Sequence, residues 1–456
     1  MKPAWYLAAA AAITAATASP HPAYQQQPLG NSPSPAEEVS QSYEESSIDS
    51  IIANDPLLSF HRDLVEIESI SGNEHNIGIF VAEYLESKNF TVIKQEVEPV
   101  KKDNDNDDDD NDPPKKRYNI YAYPSGYTSP PTILVTSHID TVPPFIPYSV
   151  HSPSRANDPS SLQIAGRGSV DAKASVASQV FAVLETLSET PANIALLFVV
   201  GEEIGGDGMK TFSDSALNKQ SAYHTVIFGE PTEASLVSGH KGMLGFKVFA
   251  HGQAAHSGYP WLGKSAVSSI LPALLRVDKL GQIPVSEGGL PSSPKYGPTT
   301  LNVGVVRAGV ATNVVPAEAM ADVSVRLAAG TPEEAREIIK KAVADAVAEA
   351  GVEAEVVVDF KSHRESYPPQ DLDTDVDGFK VIPVNYGTDV PNLAVRDGVK
   401  RYLYGPGSIF VAHGDNEALT VRDLKDAVTG FKVLIRAALD RECLERLLLV
   451  RARYNY

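Results

Sequence analysis

Five short segments of this 456-residue sequence carry isolated imidazoles and carboxylates at the ends of apolar runs. They are His138 and Asp140 in SHIDTVP, Asp171 in GRGSVDAKAS, Glu202 and Glu203 in VVGEEIGG, Glu230 in FGEPTE, and His413 in GPGSIFVAHGDNE. Imidazole nitrogens and carboxylate oxygens are the donors a protein offers to a divalent metal, and a carboxylate left over beside them can move protons. Taken singly, each segment says little: a lone histidine at a strand end is more often hydrogen-bonded scaffold, and a lone aspartate before a helix, as at Asp171, is more often a cap. Glu202 and Glu203 pose a sharper question. Neighbours on a continuing strand face opposite ways, so both serve one site only if the strand stops there, as the glycines that follow suggest.

The elements that must position these groups are legible as patterns. Helical spacing recurs in Leu57, Leu58, His61, Leu64 and Val65, and again in Ile77, Phe80, Val81 and Tyr84. Strands TVIKQEVEP and YNIYAYP follow, then the strongly apolar TILVTSHID, ANIALLFVV and HTVIFGEP, with a helix between the first two of these that lines up Val176, Val180, Val183, Leu184 and Leu187. Near-continuous apolar strands alternating with helices indicate an α/β fold whose sheet is mainly parallel and covered on both faces. Ligand sites in such sheets lie beyond the carboxyl ends of the strands, which is where the five segments fall.

From about Gly242 the pattern changes. Strand GFKVFAHG, a helix from Leu262 to Leu280, strands TTLNVGVVRAG and AEAMADVSVRLA, a helix opened by Thr331-Pro332-Glu333-Glu334, and strand VEAEVVV spell β-α-β-β-α-β, a ferredoxin-like plan. Thr331 and Glu334 read as a capping box with Pro332 at the first helical position. The sequence therefore divides into a catalytic-type domain over 49–239 and 356–456 with a small domain, 240–355, inserted in it.

Taken in order, His-x-Asp, Gly-x-Gly-x-x-Asp, Glu-Glu-x-Gly-Gly, Gly-Glu-Pro-Thr and a late Ala-His before an acidic residue resemble the zinc-dependent family of acetylornithine deacetylase, succinyl-diaminopimelate desuccinylase, aminoacylase and glutamate carboxypeptidase. The likeness runs from about residue 55 to 440. It implies a zinc-exopeptidase type of sheet with a ferredoxin-like lid domain and two zinc ions per subunit. In that pattern Asp171 bridges the ions, His138 and Glu230 complete one, Glu203 and His413 complete the other, Asp140 holds the His138 ring through its second nitrogen, and Glu202 is the general base. On the lid, the resemblance places His256 of GQAAHSGYP at the active site, often across a dimer, and associates Asn313 of ATNVVP and Arg326 of SVRL with substrate carboxylate recognition or lid architecture. The plainer readings are a turn before Pro316 for Asn313 and an exposed strand residue for Arg326. The chain departs from the family in reading Ala172-Lys173-Ala174, where Met-Lys-Gly is common, and in an insertion over 101–117.

Composition bounds what else the chain does. With 39 basic and 58 acidic residues its formal net charge is −19, which argues against electrostatic binding to nucleic acid or an anionic membrane surface. One positive charge, an alanine-rich run and Ala16-Thr17-Ala18 give residues 1–18 the layout of a signal peptide cleaved after Ala18, and the run is shorter than a membrane span requires. Residues 19–48 read as a disordered leader. Seven aspartates between 103 and 112 lack the glycine and distal glutamate of an EF-hand and read as a solvated hairpin tip. The single cysteine, Cys443, excludes an internal disulfide and reads as a small buried hydrophobe. Asn89-Phe90-Thr91 is a glycosylation sequon.

These readings converge on a secreted, extracellular di-zinc carboxypeptidase acting on peptides or N-acyl amino acids, as a homodimer through the lid domain or as a monomer. An N-acyl-amino-acid deacylase of narrow specificity is the alternative within the enzymes. A non-catalytic binding protein on the same fold is the alternative outside them, and it predicts loss of the base or of several ligands.

Overall fold

The computed structural model describes residues 48–100, 115–152, 158–352, 354–362 and 366–454. The expected signal peptide, the leader up to residue 47 and the aspartate run lie outside them. Strands β1 (Phe90–Val97), β2 (Arg117–Pro124), β3 (Ile133–His138), β4 (Ile194–Val199), β5 (Thr225–Gly229) and β10 (Lys400–Tyr404) form one sheet in the order β1-β2-β4-β3-β5-β10. The four on the β4-β3-β5-β10 side run parallel, and β1 and β2 are antiparallel additions.

Every residue of β3, β4 and β5 is buried, which is why these strands are apolar throughout rather than alternating. Helix α3 (Lys173–Glu189) packs against both α1 (Pro56–Glu66) and α7 (Val421–Tyr454). Elsewhere α2 (His75–Ser87) lies on β1 and β2. A shorter helix, α4 (Asp207–Asp214), drives Met209 and Phe212 against Leu134, Leu197 and Phe228. Burying each such side chain contributes roughly 1.5–3 kcal/mol. Because the parallel strands are pinned by packing on both sides, their carboxyl ends are fixed relative to one another, and the loops that leave them start from a rigid edge.

The second sheet contains β6 (Gly242–His251), β7 (Thr300–Ala308), β8 (Glu318–Leu327) and β9 (Glu355–Asp359) in the order β7-β8-β6-β9, all antiparallel. Helices α5 (Ala266–Lys279) and α6 (Pro332–Glu349) set Ile270, Val277, Ile339 and Val343 against Phe246, Val248, Val323 and Val325. Burial alternates strictly along β8, as expected of a sheet with one face covered. Thr331 and Glu334 form the reciprocal capping box.

Two expectations need correction. The helix begins at Ala266 rather than Leu262: Ser265 accepts the Ser268 N–H at 3.2 Å, and Pro260–Leu262 is a separate single turn cut off by the extended Gly263. Cys443 is exposed; its helical position points away from the packed side of α7, so the thiol is not core.

Candidate metal centre

His138, the paired glutamates and Glu230 stand at the carboxyl ends of three neighbouring parallel strands, and loops bring Asp171 and His413 to them. His138 is the last residue of β3 and pairs in register with Val199, the last of β4. After β4 the chain turns through Gly201 at φ 73°, makes one tight turn over Glu202–Ile204, and passes Gly205 and Gly206 at φ 127° and 70°. The strand therefore does stop before the paired glutamates. Gly201 is required there: a side chain would be strained at that φ and would overlap the buried Arg117 guanidinium, which Glu74 binds at 2.8 and 3.0 Å. Glu230 follows directly on β5, Asp171 precedes α3, and His413 lies in the loop between β10 and α7.

The five candidate ligands converge. Asp171 Oδ1 lies 3.1 Å from His138 Nε2, and Asp171 Oδ2 lies 3.4 Å from His413 Nε2. His413 Nε2 is 3.0 Å from Glu203 Oε2, and His138 Nε2 is 4.0 Å from Glu230 Oε1. His138, Asp171 and Glu203 each offer a ligand atom within 4.8 Å of the others. Tetrahedral ligands on bonds of about 2.0 Å stand about 3.3 Å from one another, so these separations fit shared cations of zinc size. Asp171 does not cap α3, which has no side-chain cap.

Asp140 acts somewhat differently from expectation. The nearest partner of His138 Nδ1 is the Asp140 main-chain carbonyl at 3.0 Å, with the carboxylate at 3.5 Å. That carboxylate accepts the N–H groups of Glu202 and Glu203 at 3.1 and 3.2 Å and the Ser71 hydroxyl at 2.7 Å. One aspartate thus orients the ring of His138 and also shapes the turn that carries the paired glutamates.

Electrostatics show a shortage of positive charge. Burial pushes the Glu202 and Glu230 carboxyls well up, and their neighbours add to it: Glu230, Asp389 and Glu203 around Glu202, and Asp171, Glu203 and Asp389 around Glu230. Glu203 is raised by burial and by Asp171. Burial also works against ionised Asp171 and Asp140, but hydrogen bonds outweigh it, from His138 and His413 to Asp171 and chiefly from His138 to Asp140, and both acids are held below the usual range. His413 is pushed up to about 10 by its bonds to Asp171 and Glu203. Two imidazoles thus face five acids, Asp140, Asp171, Glu202, Glu203 and Glu230, in a setting suited to divalent cations. Among the described residues, no hydrogen bond or ion pair engages the Glu202 carboxylate.

The remaining three candidates belong to the segment 240–355. His256 is exposed, and its Nδ1 accepts the Gly258 N–H at 3.0 Å. Asn313 is exposed, and its carbonyl accepts the Ser257 N–H at 3.0 Å. Arg326 is half-buried and close to Gly387, where an added Cβ would lie 3.0 Å from its Nη1. Among the described residues, none of the three bonds to the His138–His413 cluster.

Sequence reasoning passed over Arg167 and Glu417, a buried pair 2.8 Å apart at the base of the site. The signal was present, since both flank candidates already singled out, but Asp415, the nearer acid to His413, is exposed while Glu417 turns inward. Asp389, buried beside Glu202, and Tyr386, whose hydroxyl donates to the Pro231 carbonyl at 3.0 Å, were also missed.

Comparison with known proteins adds an independent line. The model of the peptidase dimerisation domain matches residues 238–355. A probable carboxypeptidase of Aspergillus flavus is 60% identical over 451 residues, covering 97% of this chain and 100% of that protein. A tripeptidase from Staphylococcus aureus superposes with a TM-score of 0.62 at 22% identity, over 84% of this chain and 97% of that one. An M20 family metallo-carboxypeptidase from Sulfolobus solfataricus gives 0.61 at 17% identity, over 84% and 99%.

Proposed function

Because this chain belongs to the M20 peptidase family and is a peptidase, we propose that it is a secreted di-zinc carboxypeptidase that hydrolyses the amide bond next to a C-terminal amino acid. The observation that carries the reading is the division of Asp171, one oxygen toward His138 and the other toward His413, with Glu202 left unengaged. Carboxypeptidase is favoured within the family because full-length relatives at 60% identity bear that name.

In this reading His138 and Glu230 would hold one ion, His413 and Glu203 the other, and Asp171 would serve both. Bound zinc supplies Lewis acidity, polarising the scissile carbonyl and acidifying water. Three ligating carboxylates offset three of the four charges of two zinc ions, so a fourth acid, Glu202, is tolerated in its ionised form. Glu202 takes the proton of the attacking water and returns it to the leaving nitrogen, a role whose loss typically costs 10²–10⁴ in rate. The His138 ring is kept in one orientation by the Asp140 carbonyl. Arg326 is suited to a substrate carboxylate. His256 is assigned to the oxyanion and Asn313 to substrate recognition, supplied from a second subunit.

The match to a dimerisation domain supports a homodimer through the second sheet. Secretion rests on the signal-peptide layout of residues 1–18 and is consistent with the exposed sequon residue Asn89. Sequencing the secreted protein from its N-terminus tests it, and a retained Met1 overturns it. For the activity, purified enzyme is assayed on N-blocked dipeptides and acetylated amino acids before and after chelation. Dipeptide hydrolysis lost on chelation and restored by zinc is expected; fast deacetylation without dipeptide cleavage would make the chain a deacylase instead.

A further inference from the structure

The candidate ligands Asp171 and His413 come from segments far apart in the chain, and neither lies on a strand. Something must set one against the other. Arg167 and Glu417, 1% and 2% exposed, occupy that position. Glu417 Oε1 accepts the main-chain N–H groups of Val170 and Asp171 at 3.0 and 3.1 Å, and its Oε2 accepts Arg167 Nη1 at 2.8 Å. Arg167 in turn donates to the carbonyls of Gly414 at 3.1 Å, His413 at 3.4 Å and Pro144 at 3.2 Å. The Glu417 carbonyl accepts Gly166 N–H at 3.2 Å and the Ser169 hydroxyl at 3.1 Å.

The guanidinium reaches this place because its flanking glycines have φ of 141° and 81°, and a side chain on Gly166 would collide with Val65. His413, a non-glycine residue, is itself at φ 64°. Its carbonyl is held by Arg167 while its ring faces Asp171 and Glu203. The pair therefore grips the backbone of both ligand-bearing segments, and among the described residues the only other ion pair that joins the two is the His413–Asp171 contact that it would set.

Resting on the metallopeptidase reading, we propose that Arg167 and Glu417 form a positioning pair that sets Asp171 against His413 and thereby fixes the affinity and geometry of the metal centre, without touching substrate. Only a forked cation opposite a two-oxygen acceptor satisfies both segments at once. Arg167→Lys loses the fork, and Glu417→Gln places an NH₂ group against the guanidinium or against the two N–H donors.

The test compares zinc affinity of the metal-free protein, in competition with a chromophoric chelator, with its melting temperature and with kcat and KM on an N-blocked dipeptide. Arg167→Lys and Glu417→Gln are expected to weaken zinc binding about ten-fold or more, the scale seen for groups that orient metal ligands, and to lower kcat at nearly constant KM. The double variant Arg167→Met/Glu417→Leu removes both buried charges together, so it is expected to regain melting temperature relative to Glu417→Gln, which leaves the Arg167 cation without its counter-charge, but not zinc affinity. Ile435→Ala, at a fully buried position of α7, is expected to lower the melting temperature and leave affinity unchanged. Variants that bind zinc within about two-fold of the parent, against the ten-fold expectation, or a double variant that recovers affinity along with stability, would overturn this proposal alone. A parent chain that takes up no zinc would overturn the metallopeptidase reading and this proposal with it.

Discussion

Asp171 and His413 meet with Oδ2 3.4 Å from Nε2, while the other oxygen of the same carboxylate faces His138 at 3.1 Å. The arrangement divides the site into two halves that share one residue. Metal content per chain is the direct measurement. Asp171→Ala is expected to abolish uptake of both ions, whereas His413→Ala leaves the half built on His138 and Glu230 and retains more metal than Asp171→Ala. Equal metal content in the two variants would contradict the shared-carboxylate arrangement.

Glu202→Gln is nearly isosteric and leaves the proposed ligands in place. It is expected to bind zinc normally and to lose about 10²–10⁴ in kcat, the range for a general base. Near-normal turnover with full metal content would remove Glu202 from the mechanism.

The protonation pattern gives the metal-free protein a distinctive pH response. His413 is raised in the folded state to about 10, so its contribution to stability is complete below about 6.5 and fades as pH rises through about 10. The raised carboxyls of Glu202, Glu203 and Glu230 act in the same direction: folding favours their protonated forms, so they too destabilise as pH rises above the ordinary glutamate range. Metal binding demands the opposite protonation state, neutral imidazole and ionised carboxylate. Chelated protein is therefore expected to melt at progressively lower temperature from about pH 6.5 upward, and zinc-loaded protein to hold its melting temperature over that interval. Parallel curves would show that these groups do not govern the response.

Gly201→Ala tests the turn itself. A left-handed conformation costs a non-glycine residue about 1–2 kcal/mol, and the new Cβ would also overlap Arg117. The expected result is a lower melting temperature together with reduced kcat, since the turn aims Glu202. Unchanged activity at lowered stability would separate the turn from the chemistry.

Strand β7 pairs with β8 alone among the described strands, exposing Val305 and Val306 at the sheet edge, and α5 exposes Leu271 and Leu275. An open edge beside an apolar helix face is suited to self-association. Light scattering should find a dimer for the parent chain and a monomer for Leu275→Glu combined with Val306→Glu. A parent chain that is monomeric would remove the assignment of His256 to a neighbouring site.

The α/β plan, the inserted β-α-β-β-α-β unit and the segments that hold His138, Asp171, Glu202, Glu203, Glu230 and His413 are all determined by sequence, because apolar periodicity and glycine placement are local properties. The run IALLFVV announces a buried strand, and Gly205 and Gly206 announce its end. What Asp140 does is not local. Its carboxylate serves a turn far along the chain, and only the register of β3 beside β4 brings the two together. The same holds for Glu417, which shares a segment with the more conspicuous Asp415 and is distinguished from it by burial alone. Burial also decides Cys443, whose place on an exposed part of α7 no spacing rule specifies. A sequence carries the type and order of its chemical groups, but distances between segments arise only when the sheet closes and the core fixes its edges, so which acid grips which backbone is settled by the tertiary structure.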